Sequence, residues 1–176
     1  MSRTRASWGD FAPVTLVSLL FLAQILVGIS LLPRVSQVEI LAYVGVGLYV
    51  CSGLIFGGLP VIEFRRRGGV RKGSSYVHTT RLVDTGIYSI VRHPQYVTFM
   101  LWAAAGMLLF QHWMVVLLGI PVFPLTYVDL IRADRDAVAK FGDDYKRYME
   151  RVPRMNFFAG LFRLLHQKRT QPEAND

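Results

Sequence analysis

The sequence predicts an all-α integral membrane protein with about four transmembrane helices, the last two forming a short helical hairpin. Two uncharged runs, Phe11–Leu32 and Ile40–Ile62, contain 22 and 23 residues. At about 1.5 Å per residue, each run is long enough to cross the hydrocarbon core of a bilayer. A third uncharged block, Tyr96–Val128, contains 33 residues and is too long for one comfortable span. These three blocks define the predicted fold class.

The first run follows Arg3 and Arg5, which resemble the basic end of a signal peptide. Its apolar stretch is longer than the roughly 7–15 residues of a signal peptide, and no clean small-residue cleavage site follows it. We therefore expect a retained membrane helix.

The third block divides at Gln111-His112, which separates Tyr96–Phe110 from Trp113–Val128. Each half is short for a full span, so we expect a tight helical hairpin with its turn at residues 111–113. Pro121 and Pro124 remove backbone donors from the second half and should kink it.

Basic residues are distributed by side of the membrane. The net charge is +8, and of the 20 Lys and Arg residues only Arg34 falls in the first loop between helices. The positive-inside rule then places both termini and the 63–95 loop in the cytoplasm. This pattern disfavours nucleic acid as a partner. The single cysteine, Cys51, excludes an internal disulfide, and no Cys/His cluster predicts a metal site.

Glycine and proline mark the ends of the cytoplasmic elements. Asp84-Thr85-Gly86 predicts a turn, and Pro94 predicts the first turn of the third helix. Two polar helices should follow the fourth span, the first ending at Gly142 and the second before Pro153. Residues 157–165 predict either an interfacial amphipathic helix or a cap folded onto the bundle, and residues 167–176 a disordered tail.

Polar and aromatic side chains are concentrated just before the third helix. Arg92 offers five donors to a carboxylate or phosphate, and His93 can donate, accept or titrate. Tyr88 and Tyr96 can stack on an aromatic ring or face a sulfonium. Alternatively, these side chains are interfacial anchors.

Two carboxylates, Asp134 and Asp136, follow the fourth span closely. The alternative for this region is a solvated helical face with pairs such as Asp144–Arg147 and Asp143–Arg147.

Two motifs together resemble the isoprenylcysteine carboxyl methyltransferase family, which belongs with phospholipid and thiol methyltransferases of the same membrane fold. The first is Leu-Val-x-x-Gly-x-Tyr-x-x-x-Arg-His-Pro-x-Tyr at residues 82–96. The second is Phe-Gly-x-x-Tyr-x-x-Tyr-x-x-Arg-Val-Pro at residues 141–153. The resemblance covers residues 76–155 and implies S-adenosylmethionine as methyl donor, bound in a cytoplasmic cap. The chain looks like a divergent member, because Asp134 and Ala133 stand where the family usually has glutamate.

Two further positions depart from the family pattern. Thr80 stands where the family often has histidine, the nearest histidine being His78, and Ala137 replaces a common leucine. The resemblance implies catalytic roles for Arg92 and Asp134. It implies that the cofactor-binding residues are Leu82, Val83, Gly86, Tyr88, His93, Pro94, Tyr96 and Asp134.

The predicted function is an S-adenosylmethionine-dependent membrane methyltransferase acting on a lipophilic or membrane-associated acceptor: a phospholipid amine, a lipid-linked carboxylate or a thiol. We expect a two-helix membrane region at 1–62 and a methyltransferase-like region at 63–176, integrated in one membrane domain surrounded by membrane lipids. The alternatives are an NADPH-dependent membrane reductase of similar architecture and a non-catalytic membrane scaffold.

Overall fold

The computed structural model describes residues 8–32, 37–70 and 79–170, with side chains at 15–32, 37–70 and 79–166. Arg3, Arg5, Arg34, His78 and the tail beyond residue 170 lie outside these ranges. The described residues form helices joined by short connections and contain no β-strand, which confirms the all-α prediction.

The described helices follow the predicted blocks closely. In chain order they are α1 (Trp8–Leu31), α2 (Glu39–Ser52), a π-helical turn (Gly53–Gly58), α3 (Leu59–Arg67), a 3₁₀ turn (Gly86–Ser89), α4 (Pro94–Phe110), α5 (Trp113–Gly119), α6 (Val122–Phe141), α7 (Asp143–Arg151) and α8 (Phe157–Thr170).

Two helical stretches, Glu39–Arg67 and Trp113–Phe141, are each 29 residues long and apolar enough to cross a membrane. Thr15–Leu31 and Pro94–Phe110 are apolar but shorter. The presence of four membrane spans therefore remains a prediction.

The stretch Glu39–Arg67 contains a π-helical turn that the sequence analysis did not predict. Pro60 lies just after it and has no N–H to donate to the carbonyl of Phe56. A wider turn accommodates this missing hydrogen bond, and Gly53, Gly57 and Gly58 tolerate the change in backbone geometry.

The predicted hairpin turn is confirmed. α4 ends at Phe110, α5 begins at Trp113, and His112 caps α5 by accepting a hydrogen bond from the backbone N–H of Met114 at 3.2 Å. The helix breaks at Ile120–Pro121 and resumes at Val122, as the missing donor of Pro121 predicts. Helix α6 continues unbroken through Pro124, because Pro124 lies in its first turn, where the missing N–H has no helical acceptor.

The chain divides into two compact units. The first contains residues 1–53 and 98–133, and the second residues 54–97 and 134–176. The predicted boundary between residues 62 and 63 stays a prediction.

The first unit is an apolar helical assembly. Val17, Ala103 and Val122 form a buried core, and Tyr49 stacks on Trp102 with ring centroids 4.7 Å apart. Gln24 is also buried here, and its amide donates to the carbonyls of Ala103 and Val115 at 3.1 and 3.3 Å. Most of the outward side chains on α1 are apolar, as expected of a surface in contact with lipid, and they include Leu19, Leu22, Leu26 and Ile29.

The second unit is built mainly from the cytoplasmic elements of the predicted topology. Its core contains Tyr145, Tyr148 and Val152 of the α7 region, with Leu82 packed against them. Gly142 ends α6 with φ +59°, and α7 ends before Pro153, so both predicted helix ends are confirmed.

α8 runs to Thr170, so the predicted disordered tail is wrong for residues 167–170. A second difference concerns the surface ion pairs of α7. Arg147 pairs with Asp144 as predicted, whereas Asp143 pairs with Lys146 at 2.8 Å. An i,i+3 pair is as accessible to Asp143 on a helix surface as the predicted i,i+4 pair.

Candidate active site

The segment that leads into α4 is fixed by a glycine turn. Gly86 has φ +59°, a conformation that favours glycine, so the predicted turn is confirmed. A Cβ at this position would also overlap the carboxylate of Glu63. Tyr88, two residues later, is buried and stacks on Phe64 with ring centroids 4.7 Å apart. The last turn of α3 therefore supports the motif segment from one side.

The two sequence motifs meet directly within the second unit. The backbone N–H groups of Arg92 and His93 donate to the carbonyls of Pro153 and Arg154 at 3.1 and 3.2 Å. The hydroxyl of Tyr148 donates to the carbonyl of Tyr88 at 2.6 Å. Residues that lie about 60 positions apart in the sequence thus form one structure.

Asp134 lies at the centre of this junction with only 4% of its surface exposed. One carboxylate oxygen, Oδ1, accepts from His93 Nε2 at 2.6 Å, Tyr145 Oη at 2.8 Å and Arg92 at 3.1 Å. The other, Oδ2, accepts from Arg154 Nε at 2.9 Å. We call these five residues the Asp134 cluster.

Asp134 is ionised in this environment. It lies beyond the uncharged run that ends at Val128. Burial raises its pKa, but the hydrogen bonds and the nearby His93, Tyr145 and Arg92 outweigh burial and lower the pKa to about 2. Because an ionised carboxylate only accepts, His93 Nε2 carries the proton in its hydrogen bond to Asp134.

Tyr145 keeps its proton in the same cluster. Burial raises the pKa of its hydroxyl, and the hydrogen bond to the charged Asp134 raises it further. Tyr145 is therefore a hydrogen-bond donor at any physiological pH.

The cluster holds two guanidinium groups and one carboxylate. Arg92 is 8% exposed, and within the described part of the chain its buried Nε has no hydrogen-bond partner. A buried donor without a partner is costly, and an anionic group bound beside Arg92 would satisfy it. The arrangement thus favours a ligand carboxylate or phosphate.

The other predicted site residues surround this cluster in different ways. Tyr96 places its ring perpendicular to that of His93, with centroids 5.6 Å apart. Pro94 begins α4 and is buried, as is Val83. Leu82 lines a separate surface cleft of about 420 Å³, whose other lining residues are Asp84, Asp144, Arg147, Glu150 and Arg151. Asp136 is exposed and lies outside the cluster.

Three residues that shape the site had no predicted role. Tyr145 belongs to the second motif, and its spacing after Gly142 was the available signal for it. Arg154 follows that motif directly and Phe64 lies outside both motifs. Only the folded chain brings them to the site.

Two comparisons with known proteins bear on this site. A sequence model of the isoprenylcysteine carboxyl methyltransferase family matches residues 74–139, which include the first motif and Asp134. The predicted family resemblance is confirmed. The matched range ends at residue 139, just before the Phe141-Gly142 of the second motif.

A curated protein from Schizosaccharomyces pombe (strain 972 / ATCC 24843), protein-S-isoprenylcysteine O-methyltransferase, is 33% identical over 93 residues. The alignment covers 48% of this chain and 39% of that protein, so the chain matches well under half of the relative's length. No solved structure matches the chain significantly. Both comparisons agree with the methyltransferase class that the motifs predict.

Proposed function

We propose that the protein is a membrane methyltransferase that uses S-adenosylmethionine and acts on a lipophilic or membrane-associated acceptor. The observation that carries this proposal is the Asp134 cluster, in which both motifs contribute side chains to one buried, donor-rich site. The family match and the fission yeast relative support the same reaction class.

The residues present fit S-adenosylmethionine. This cofactor supplies a methyl group activated by a sulfonium and also carries a carboxylate. The unpartnered Nε of Arg92 suits the carboxylate, and the ring of Tyr96, which lies beside the His93 ring, suits a sulfonium. The remaining predicted contacts are Leu82, Val83, Gly86, Tyr88 and Pro94.

The chain's own contribution to methyl transfer is mainly positioning, because displacement at a sulfonium needs alignment more than acid–base chemistry. Asp134 already accepts four hydrogen bonds, and its pKa is about 2. It is therefore a poor proton acceptor near neutral pH. We propose that Asp134 orients Arg92 and His93, and that Arg92 contacts the bound anion.

Among the three predicted acceptor classes, the fission yeast relative favours a lipid-linked carboxylate. The name of the fission yeast relative describes O-methyl transfer to protein isoprenylcysteine. We propose the same chemical class of acceptor here. Because Asp134 stands in place of the family glutamate, the acceptor can differ from that of the family. A phospholipid amine and a thiol are therefore kept as outcomes of the test.

We further propose a multi-pass topology with both termini and the site in the cytoplasm. The support is the distribution of basic residues, with 19 of 20 Lys and Arg outside the first loop and none at the hairpin turn.

Ligand-induced thermal stabilisation in detergent tests the cofactor. S-adenosylhomocysteine should raise the melting temperature by several degrees, because a ligand that binds only the folded state stabilises it. NADPH should have no effect. A response to NADPH alone would overturn the proposal in favour of the reductase, and a response to neither would favour the scaffold.

Methyl transfer from labelled S-adenosylmethionine in membranes then identifies the acceptor. Label recovered as a base-labile ester would support a carboxylate acceptor. Label recovered on a phospholipid amine or a thiol would overturn that part of the proposal while keeping the methyltransferase.

A further inference from the structure

The outer face of α8 is apolar although much of it is exposed in the described chain. We define this face as Phe158, Leu161, Phe162 and Leu165. Phe158 and Phe162 are 81% and 71% exposed. A cap facing water on this side would carry polar side chains instead, since soluble proteins rarely expose such contiguous apolar patches.

The opposite face of α8 is firmly docked in the second unit. A Cβ at Gly160 would overlap the carbonyl oxygen of Ile90, so only glycine permits this approach. The guanidinium of Arg163 donates to the carbonyls of Ser89 and Arg151. The outer face is therefore held in one orientation.

The level of α8 relative to the membrane follows from Phe157. Its ring lies perpendicular to that of Phe56, with centroids 5.2 Å apart. Phe56 belongs to the stretch Glu39–Arg67, which is apolar enough to cross a membrane, and precedes Arg65 by nine residues. At about 1.5 Å per residue this is roughly 13 Å along the helix axis. α8 therefore begins well on the membrane side of the Arg65–Arg67 run.

The same stretch carries further exposed apolar side chains. Leu54, Ile55, Leu59 and Ile62 belong to the second unit and are exposed as well. After its apolar part, α8 continues with Gln167-Lys168-Arg169, whose two basic residues suit anionic headgroups.

We propose that the outer face of α8 is embedded among lipid acyl chains at the boundary of the bilayer, on the side where Arg65–Arg67 lie. The sequence left two alternatives open for this segment, an interfacial amphipathic helix and a cap on the bundle. In this proposal α8 is both, since one face docks on the second unit and the other contacts lipid. This proposal rests on the membrane span and is independent of methyl transfer.

Site-directed fluorescence in vesicles tests the proposal. In a Cys51→Ala background, Phe162→Cys carries an environment-sensitive dye, and the protein is reconstituted in phosphatidylcholine with some phosphatidylglycerol. Nitroxide-labelled lipids should quench this dye roughly twofold or more, and aqueous iodide should quench it weakly. Phe158→Cys is a second position with the same expectation, which keeps the test valid if one variant fails to fold.

Lys146→Cys on α7 is the matched control, because Lys146 is exposed and polar. Its dye should be quenched by iodide and not by lipid nitroxides. Iodide quenching at both α8 positions as strong as at residue 146 would overturn the proposal. Protection of the α8 positions from both quenchers would also overturn it, and would instead indicate a second copy of the chain on this face.

Discussion

The two compact units bury polar groups in different ways. In the first unit Gln24 is a neutral amide whose donors reach two backbone carbonyls. In the second unit Asp134 is an ionised carboxylate that accepts from four side chains. The first arrangement joins helices, whereas the second orients charged groups beside the Arg92 Nε donor, which a ligand acceptor could satisfy. The buried polar group of the first unit therefore serves helix assembly, whereas that of the second unit serves the proposed chemistry.

Removing the carboxylate at Asp134 should give the largest loss of stability and of ligand binding. Asp134→Ala leaves the buried Arg92 and His93 without their acceptor and should lower stability by about 3 kcal/mol. It should also abolish stabilisation by S-adenosylhomocysteine. Thermal unfolding with and without this ligand measures both effects.

Asp144→Ala is the control for this variant, since Asp144 is an exposed carboxylate on α7. It should leave the ligand response intact. An Asp134→Ala protein that still responds to the ligand as strongly as the wild type would contradict the assigned site.

Gln24→Leu breaks the corresponding interaction of the first unit. It removes two hydrogen bonds within a helical assembly and should cost about 1–2 kcal/mol. Because Ala103 and Val115, which accept its two hydrogen bonds, lie in the first unit, the Kd for S-adenosylhomocysteine should not change. A weakened ligand affinity that tracks the loss of stability would show that the roles of the two units are not separate.

Gly86→Ala strains the motif turn of the second unit. A side chain at φ +59° and its overlap with Glu63 should together cost about 1–2 kcal/mol. Glu63→Ala in the same chain should recover part of this loss, because it removes the overlap and leaves the backbone cost. A double-mutant cycle in thermal unfolding measures the recovery. Strictly additive effects would argue against the contact.

Tyr148→Phe is a smaller change within the second unit. It removes the hydrogen bond to the Tyr88 carbonyl and should cost about 1 kcal/mol. The melting temperature should fall slightly while ligand affinity is retained. A loss of affinity without a loss of stability would instead place this hydroxyl at the ligand.

The smallest effect is expected from pH in the neutral range. Because its pKa is lowered from 3.8 to about 2, Asp134 stabilises the fold above pH 4, and this stabilisation is lost as the pH falls toward 2. The difference in melting temperature between wild type and Asp134→Asn should stay constant from about pH 5 to 8 and shrink below about pH 4. A difference that changes between pH 6 and 8 would show that another group controls it.

Local sequence signals predicted most helix ends. Gly86, Pro94, Gly142 and Pro153 act within one or two residues of themselves, so the structure confirms the ends that they predicted. The π-helical turn was not predicted, because hydrophobic periodicity carries no signal for it. It depends on how the helix accommodates the carbonyl that Pro60 leaves without a donor.

The site was predictable only in part, for a different reason. Motif spacing selected Arg92, His93 and Asp134, which the fold brings together across about 40 residues. Arg154 and Phe64 join the site through contacts over long sequence separations, which leave no periodic pattern in the sequence. Asp134 was expected to contact the cofactor, whereas its four hydrogen bonds support a positioning role.

Arg92→Lys with Gln24→Leu as its control tests the central claim most directly. The claim is that the two motifs build one anion-binding site around Asp134. Lysine keeps the positive charge but loses the planar donors that reach both Asp134 and a ligand. We predict that titration calorimetry will give at least about a tenfold weaker Kd for S-adenosylhomocysteine in Arg92→Lys, a loss of about 1.4 kcal/mol, and an unchanged Kd in Gln24→Leu. Equal affinities in wild type and Arg92→Lys would contradict the claim.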